Sequence, residues 1–293
     1  MNDALAKGAS DAVRYRALAS LHSAVVLFGL AGLFGKWIAL PATTIVFGRT
    51  AVAAAALGML LCLSPSRRGG FEWRMAVNGA VLALHWFAFF KAIQIASVAI
   101  GLLGYASFPL FVLLLERVLL RTRIRRFDWA IAALVVTGLA ILLRGPGFDH
   151  RTAQGLAWGV LAGFSFALLA VSNRALAARR EPDGIAFWQN ACAASCLAPV
   201  LVVAPALPSA RDIALLLVLG VVCTALAHSL FIRSMRVVSA HTASVVAALE
   251  PVYGIVLAAL LLDEVPDART LVGALLIVGA ALAATARATR TPR

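Results

Sequence analysis

The sequence predicts an all-α integral membrane protein in which ten transmembrane helices form two inverted five-helix repeats. Of the 293 residues, 62% are hydrophobic and only 13% charged, with a mean hydropathy of +0.93, far from the composition of a soluble domain. The apolar residues fall into ten runs near the length a bilayer demands, about 17 to 25 residues. The second half of the chain repeats the first.

The first run, 20–40, follows a tail of mixed charge. The small residues Ala39 to Ala42 behind it imitate a cleavage site, but the long tail argues for a span that is retained. The second, 43–63, is rich in Ala and Leu and carries one cation at depth, Arg49. The third, 74–92, contains ALHWFAFFKA and so places His85 and Trp86 near mid-span. The fourth, 98–117, holds Gly101 and Gly104, small enough for close helix approach, and then Pro109. The fifth, 127–144, ends at the polar, glycine-bearing linker 144–153. Behind the linker, 154–175 carries Trp158, Phe164 and Ser165, and 184–205 opens with Trp188, Gln189 and Asn190. The last three runs are 211–232, 241–262 and 269–286, the ninth interrupted by Glu250 and Pro251 side by side. Little chain remains for loops, so no separate soluble domain is expected.

The net charge of +13 does not indicate nucleic acid, because the cations lie in the gaps between apolar runs instead of forming a stripe. Those cations give the orientation. With the N-terminus inside, 19 of the 26 Lys and Arg residues are cytoplasmic. The outside segments hold only Lys36, Lys91, Arg144, Arg151, Arg211 and Arg269. A multi-pass protein of the cell inner membrane with both termini cytoplasmic is the expectation, as a monomer. The four cysteines all sit within apolar runs, which predicts buried side chains and neither a disulfide framework nor a metal site. No cofactor is expected.

Sliding the chain by 142 positions lays KAIQIASVA (91–99) on RSMRVVSAH (233–241) and SFPLFVLLLERVLL (107–120) on LEPVYGIVLAALLL (249–262). Pro109 falls on Pro251 and Ser97 on Ser239. With one residue dropped, VVTGLAI (135–141) meets LIVGAAL (276–282). The halves are therefore 1–146 and 147–293, and five spans each makes the second half enter the membrane with opposite orientation. Inverted repeats characterise secondary transporters, whose substrate site lies near the midplane between the halves. Each proline sits about ten residues into its span, roughly 15 Å deep, where it deprives the carbonyl four residues earlier of its helical partner. Pro109 and Pro251 are thus expected as symmetry-related hinges.

These features resemble the EamA family of the drug/metabolite transporter superfamily over essentially the whole chain. The residues that carry the resemblance are FGRTAVAAA (47–55), YASFPLFVLLL (105–115), ALEPVYGIVLAALLLDE (248–264) and LVGALLIVGAAL (271–282). The resemblance implies a ten-helix carrier with cytoplasmic termini that moves a small metabolite through a central cavity. Within the superfamily, His85, Tyr105 and the aromatic pattern point toward YddG-like amino-acid exporters.

The side chains expected at a substrate site follow from chemistry at depth. A carboxylate in mid-bilayer is costly and so invites a function for Glu250: a proton or cation group, or a partner for a substrate ammonium. It can equally be a structural group held by a hydroxyl or by Arg49. His85 offers a donor and an acceptor beside the large Trp86 face. Tyr105, Ser107 and Phe108 precede the first proline, while Trp158, Phe164, Ser165 and Tyr253 add aromatic walls and hydroxyls, the usual make-up of a small-molecule pocket. An enzyme is not expected, because no span pairs a nucleophile with a base or shows metal-ligand spacing. The reading is a secondary transporter exporting small metabolites, amino acids first, by alternating access. A multidrug or quaternary-amine exporter and a nucleotide-sugar-type exchanger are the alternatives.

Overall fold

The computed structural model describes residues 2–64, 70–120, 126–142, 149–203, 206–238, 243, 246–247 and 249–288. Ser239 and the loop cations Arg67, Arg68, Arg121, Arg123, Arg125, Arg144, Arg290 and Arg293 lie outside them.

Among the described residues every regular element is helical: α1 (Asn2–Trp37), α2 (Ala42–Leu63), α3 (Trp73–Ile95), α4 (Val98–Tyr105), α5 (Phe108–Leu120), α6 (Arg126–Leu142), α7 (His150–Ala177), α8 (Pro182–Val203), α9 (Ala210–Gly220), a π-helical turn (Val221–Leu226), α10 (Ala227–Ser234), α11 (Glu250–Leu261) and α12 (Ala268–Ala288). Among the described residues seven continuous segments are long and apolar enough to cross a membrane, and three shorter apolar helices accompany them. Val77, Leu84, Val136, Val202, Val256 and Leu275 turn outward, an apolar surface suited to lipid.

Local chemistry starts the helices. Ser97 accepts from Ile100 N at 3.2 Å and opens α4, and Asp149 accepts from Thr152 N at 2.8 Å and opens α7. Ser209 and Asp212 form a reciprocal capping box at α9. Helix α11 ends with Asp263 at φ 55°, in the left-handed region, and this turn sends Glu264 back across the end of the bundle.

Three expected spans differ in detail. The fourth is broken at Ala106–Ser107, so Pro109 lies in the first turn of α5 instead of inside a bent helix. In the ninth, Glu250 and Pro251 begin α11. Both prolines therefore stand where a missing N–H costs nothing. The eighth contains the π-turn, in which Thr224 Oγ1 donates to Leu219 O at 2.7 Å, five residues back.

The contacts come in matched pairs. Helix α3 packs on α7 as α1 packs on α10; α4 and α5 pack on α7 as α11 packs on α1; α3 packs on α8 as α2 packs on α9 and its π-turn. Helix α2 meets α8, α6 meets α12 and α4 meets α11. The match extends to single residues. A Cβ on Gly79 would stand 2.5 Å from Cys192 Cβ and 2.8 Å from Gln189 O, and one on Gly220 would stand 2.5 Å from Val52 Cβ and 3.1 Å from Arg49 O. Glycine lets the backbones touch at both crossings. At the two helix breaks, Gly163 of α7 lies against Tyr105 O and Ser107 Oγ, and Gly29 of α1 against Glu250 O and Gly254 N.

Candidate functional site

The centre of the bundle holds a charged residue that sequence reasoning treated only as a partner. Arg49 is 0% exposed. Gly48 and Gly220 bring α2 onto α9 and the π-turn, and so carry the guanidinium to the wide part of that turn. There Nε donates to Thr224 Oγ1 at 2.9 Å and Nη2 to Cys223 O at 3.3 Å. The π-turn is part of the site, since its register presents both acceptors to one cation. The Trp86 ring covers the guanidinium, with Cζ 3.4 Å from the ring centroid, and Phe90 stands at 5.3 Å.

Glu250, 2% exposed at the start of α11, lies within electrostatic range of Arg49 without a direct ion pair. The Tyr105 hydroxyl, from the end of α4, lies close to its carboxyl. The breaks before α5 and α11 thus bring Tyr105 and Glu250 together. His85 completes the cluster: its Nδ1 donates to Ala162 O at 2.9 Å, which leaves Nε2 as an acceptor. Its ring centroid is 4.6 Å from Trp86, 5.2 Å from Phe166 and 5.7 Å from Tyr105. Tyr105 stacks on Phe108 at 5.1 Å. Phe28 and Phe231 close the wall, each against the other at 5.7 Å. Three polar atoms of this cluster, Arg49 Nη1, Trp86 Nε1 and Glu250 Oε2, are buried without a hydrogen-bond partner.

Of the residues singled out in the sequence, His85, Trp86, Tyr105, Phe108 and Glu250 meet here. Ser107 and Ser165 are buried but spend their hydroxyls on helix carbonyls, Gly104 O at 2.8 Å and Leu161 O at 2.8 Å respectively. Tyr253 is half-buried, its Cβ against Gly29 of α1. Trp158 pairs with Phe87 at 5.5 Å, and Phe164, exposed, pairs with Phe111 at 5.4 Å; neither joins the cluster. Arg49, Phe28, Phe166, Phe231 and Thr224 were missed. For Arg49 a signal existed, since a lone cation inside an apolar run marks a functional position. For the aromatic side chains there was none.

A second buried polar group lies nearer the end of the bundle that carries Glu72. Asn173 Oδ1 accepts from Asn78 Nδ2 at 3.2 Å and from Gln189 Nε2, and Asn190 Nδ2 donates to Ala186 O at 2.8 Å and faces His228 Nδ1 at 3.2 Å. Beyond it are ion pairs: Arg180–Glu72 at 3.3 Å, Arg233–Asp183 at 2.9 Å and Arg236–Glu181 at 2.9 Å. Arg174 donates to Met235 O and Val238 O. At the opposite, Lys36 end, Lys36 pairs with Glu264 at 3.7 Å and donates to Ala96 O at 3.1 Å, while Glu264 accepts from Val98 N at 2.9 Å. Asp212 accepts from Ala39 N at 3.2 Å. Asp212 also accepts from Ser209 N at 3.0 Å and from Ser209 Oγ at 2.7 Å. A cleft of about 380 Å³ opens at this end between Lys36, Gln94, Ser97, Asp149 and Arg151. Arg49, His85, Trp86, Tyr105 and Glu250 of the central cluster are all buried.

A model of the EamA-like transporter family matches residues 16–144 and again 153–286. The chain belongs to the EamA-like transporter family. It is a multi-pass membrane protein, and as a family member its partners are a small-molecule substrate and the lipid around it. Its relatives include the pseudopaline exporter of Pseudomonas aeruginosa, 31% identical over 255 residues that cover 83% of this chain and 86% of the exporter. The S-adenosylmethionine uptake transporter of Rickettsia prowazekii is 25% identical over 206 residues, covering 70% and 69% of the two chains. Transporter YxxF of Bacillus subtilis is 24% identical over 263 residues, 86% of this chain and 84% of that one. A crystal structure at 21% identity superposes with a TM-score of 0.70 over 94% of this chain and 98% of its own, a likeness of fold. This EamA-like chain thus shares its family with proteins named for export and for uptake.

Proposed function

We infer that the protein is a secondary carrier that exports small metabolites, amino acids first among them, from the cytoplasm across the inner membrane by alternating access. The observation that carries this reading is the matched packing around the buried cluster. Helix α3 on α7 repeats α1 on α10, and Gly79 against α8 repeats Gly220 against α2. Such pairing supports two inverted halves, 1–146 and 147–293, with ten spans in all. Two equivalent halves can exchange conformations and open a site between them to either side in turn. The breaks before Phe108 and Glu250 lie at equivalent places in the halves, and Pro109 and Pro251 keep the following helices from fusing with the preceding ones. They serve as the hinges. The Glu72 end, rich in Arg, is the cytoplasmic side.

Amino acids suit a site that has a cation, a carboxyl group, an imidazole and aromatic faces together, because they bring charges of both signs and a side chain to bury. The test is flux of a panel of radiolabelled solutes into proteoliposomes, amino acids beside quaternary amines and nucleotide sugars. Saturable amino-acid flux that excess unlabelled amino acid suppresses is expected. Flux confined to the other two groups would refute the substrate assignment, and flux of none of them would refute the carrier reading.

A further inference from the structure

Arg49 and Glu250 differ from their equivalents in the other half. The crossing that places Gly220 on Arg49 O is matched by the one that places Gly79 on Gln189 O, so Gln189 stands where Arg49 stands in the first half. By the 142-residue repeat, Phe108 stands where Glu250 stands in the second. The charges are therefore not products of the fold's symmetry. Each half contributes one pole and leaves the matching place in its partner uncharged.

Both poles are also unfinished. Arg49 has spent Nε and Nη2 on Thr224 and Cys223, and one face on Trp86, yet Nη1 has no partner. Glu250 meets Tyr105, yet Oε2 has no partner. A buried charged side chain is stable only if it is paired and hydrogen-bonded. These two do not neutralise each other by direct contact, although they act on each other electrostatically. A ligand set between them that accepts from Nη1 and donates to Oε2 completes both at once.

We propose that Arg49 and Glu250 are the two poles of a zwitterion site, the guanidinium taking the substrate's carboxylate and the Glu250 carboxylate its ammonium group. Trp86 Nε1, also without a partner, is a second donor toward the carboxylate. The geometry of a guanidinium suits a planar carboxylate. Phe28, Phe166 and Phe231 then surround what the substrate carries besides its charges. Because one pole belongs to each half, a bound zwitterion ties the halves together, whereas a solute with a single charge leaves one buried pole uncompensated. The site thus selects against simple amines and simple acids as strongly as it selects for amino acids.

This inference rests on the carrier reading, and the experiment separates the two. Purified full-length protein is titrated calorimetrically with each proteinogenic amino acid, and every amino acid that binds is followed by its decarboxylated amine and its deaminated acid. Loss of either group is expected to weaken binding at least about tenfold, as for one charge-assisted hydrogen bond. Arg49→Gln, which installs the residue found at the equivalent place, should bring the amine level with the amino acid while the acid stays weak. Glu250→Gln should do the reverse. An amine or acid that binds wild type within about twofold of its parent overturns the two-pole site and leaves the carrier standing. Variants that fold, bind and keep both discriminations overturn it too. If a variant does not fold, the wild-type series decides alone. No binding by any amino acid removes both the two-pole site and the amino-acid assignment, while flux of other solutes would still mark a carrier.

Discussion

Gly220→Ala tests the seam on which the site is built. The added methyl carbon would stand 2.5 Å from Val52 Cβ and 3.1 Å from Arg49 O. Carbon atoms rest at about 3.5 to 4.0 Å, so α2 and the π-turn must part by roughly 1 Å at the crossing. A gap of that size forfeits about a quarter to a half of the dispersion energy of the contacts it opens. Overpacking of this kind costs about 1 to 3 kcal/mol. The obstacle is a specific atom, so removing that atom should relieve it. In a Val52→Gly background the cost of Gly220→Ala should fall by at least roughly 1 kcal/mol, the coupling expected of residues in contact. The assay is reversible chemical unfolding in detergent micelles, taken around the full double-mutant cycle. Gly79→Ala with Cys192→Gly is the matched cycle, since that Cβ would stand 2.5 Å from Cys192 Cβ. A Gly220→Ala penalty below about 0.5 kcal/mol, or one that simply adds to that of Val52→Gly, would refute the close crossing, and opposite outcomes in the two cycles would refute the equivalence of the halves.

Other expectations follow from named contacts. Lys36→Met breaks a part-exposed pair with Glu264 and should change stability by less than about 1 kcal/mol, yet raise labelling of a cysteine placed at Ser97 by a membrane-impermeant thiol reagent; unchanged labelling would show that the pair does not hold the Ser97 end closed. Pro251→Ala should slow exchange between the two sides more than it weakens substrate binding, which flux and calorimetry report separately; an equal loss in both refutes a hinge. Counterflow at equal pH on the two sides should proceed without an imposed gradient, because Glu250 is the single deep carboxyl group of the cluster; a requirement for the gradient would refute this.

Composition and hydropathy determined that the chain lies in a membrane, for a segment of this length and apolarity has no other favourable solvent. The position of most helices was equally legible, with α2, α3, α7 and α8 starting and ending within a few residues of the expected bounds. So were the buried cluster's His85, Trp86, Tyr105 and Glu250, because polar or ring-bearing groups at mid-span stand out against an apolar run, whereas the prolines, expected inside bent helices, stand in the first turns of new ones. Tertiary structure decided the rest. The π-turn at Val221–Leu226 rests on Thr224 reaching Leu219 O and on Arg49 arriving from α2 to use the acceptors so presented, and no local pattern announces either. Trp158 and Phe164 read from sequence like Phe166, yet only Phe166 faces His85, because the azimuth of a helix is set by the neighbours it packs against. Arg49 shows the division most directly. Its sequence position fixes its depth, at about 1.5 Å per residue along α2, whereas its use of Trp86, Thr224 and Cys223, and the one nitrogen it leaves unpaired, depend on the approach of other helices, those of Thr224 and Cys223 lying 175 and 174 residues away in the chain.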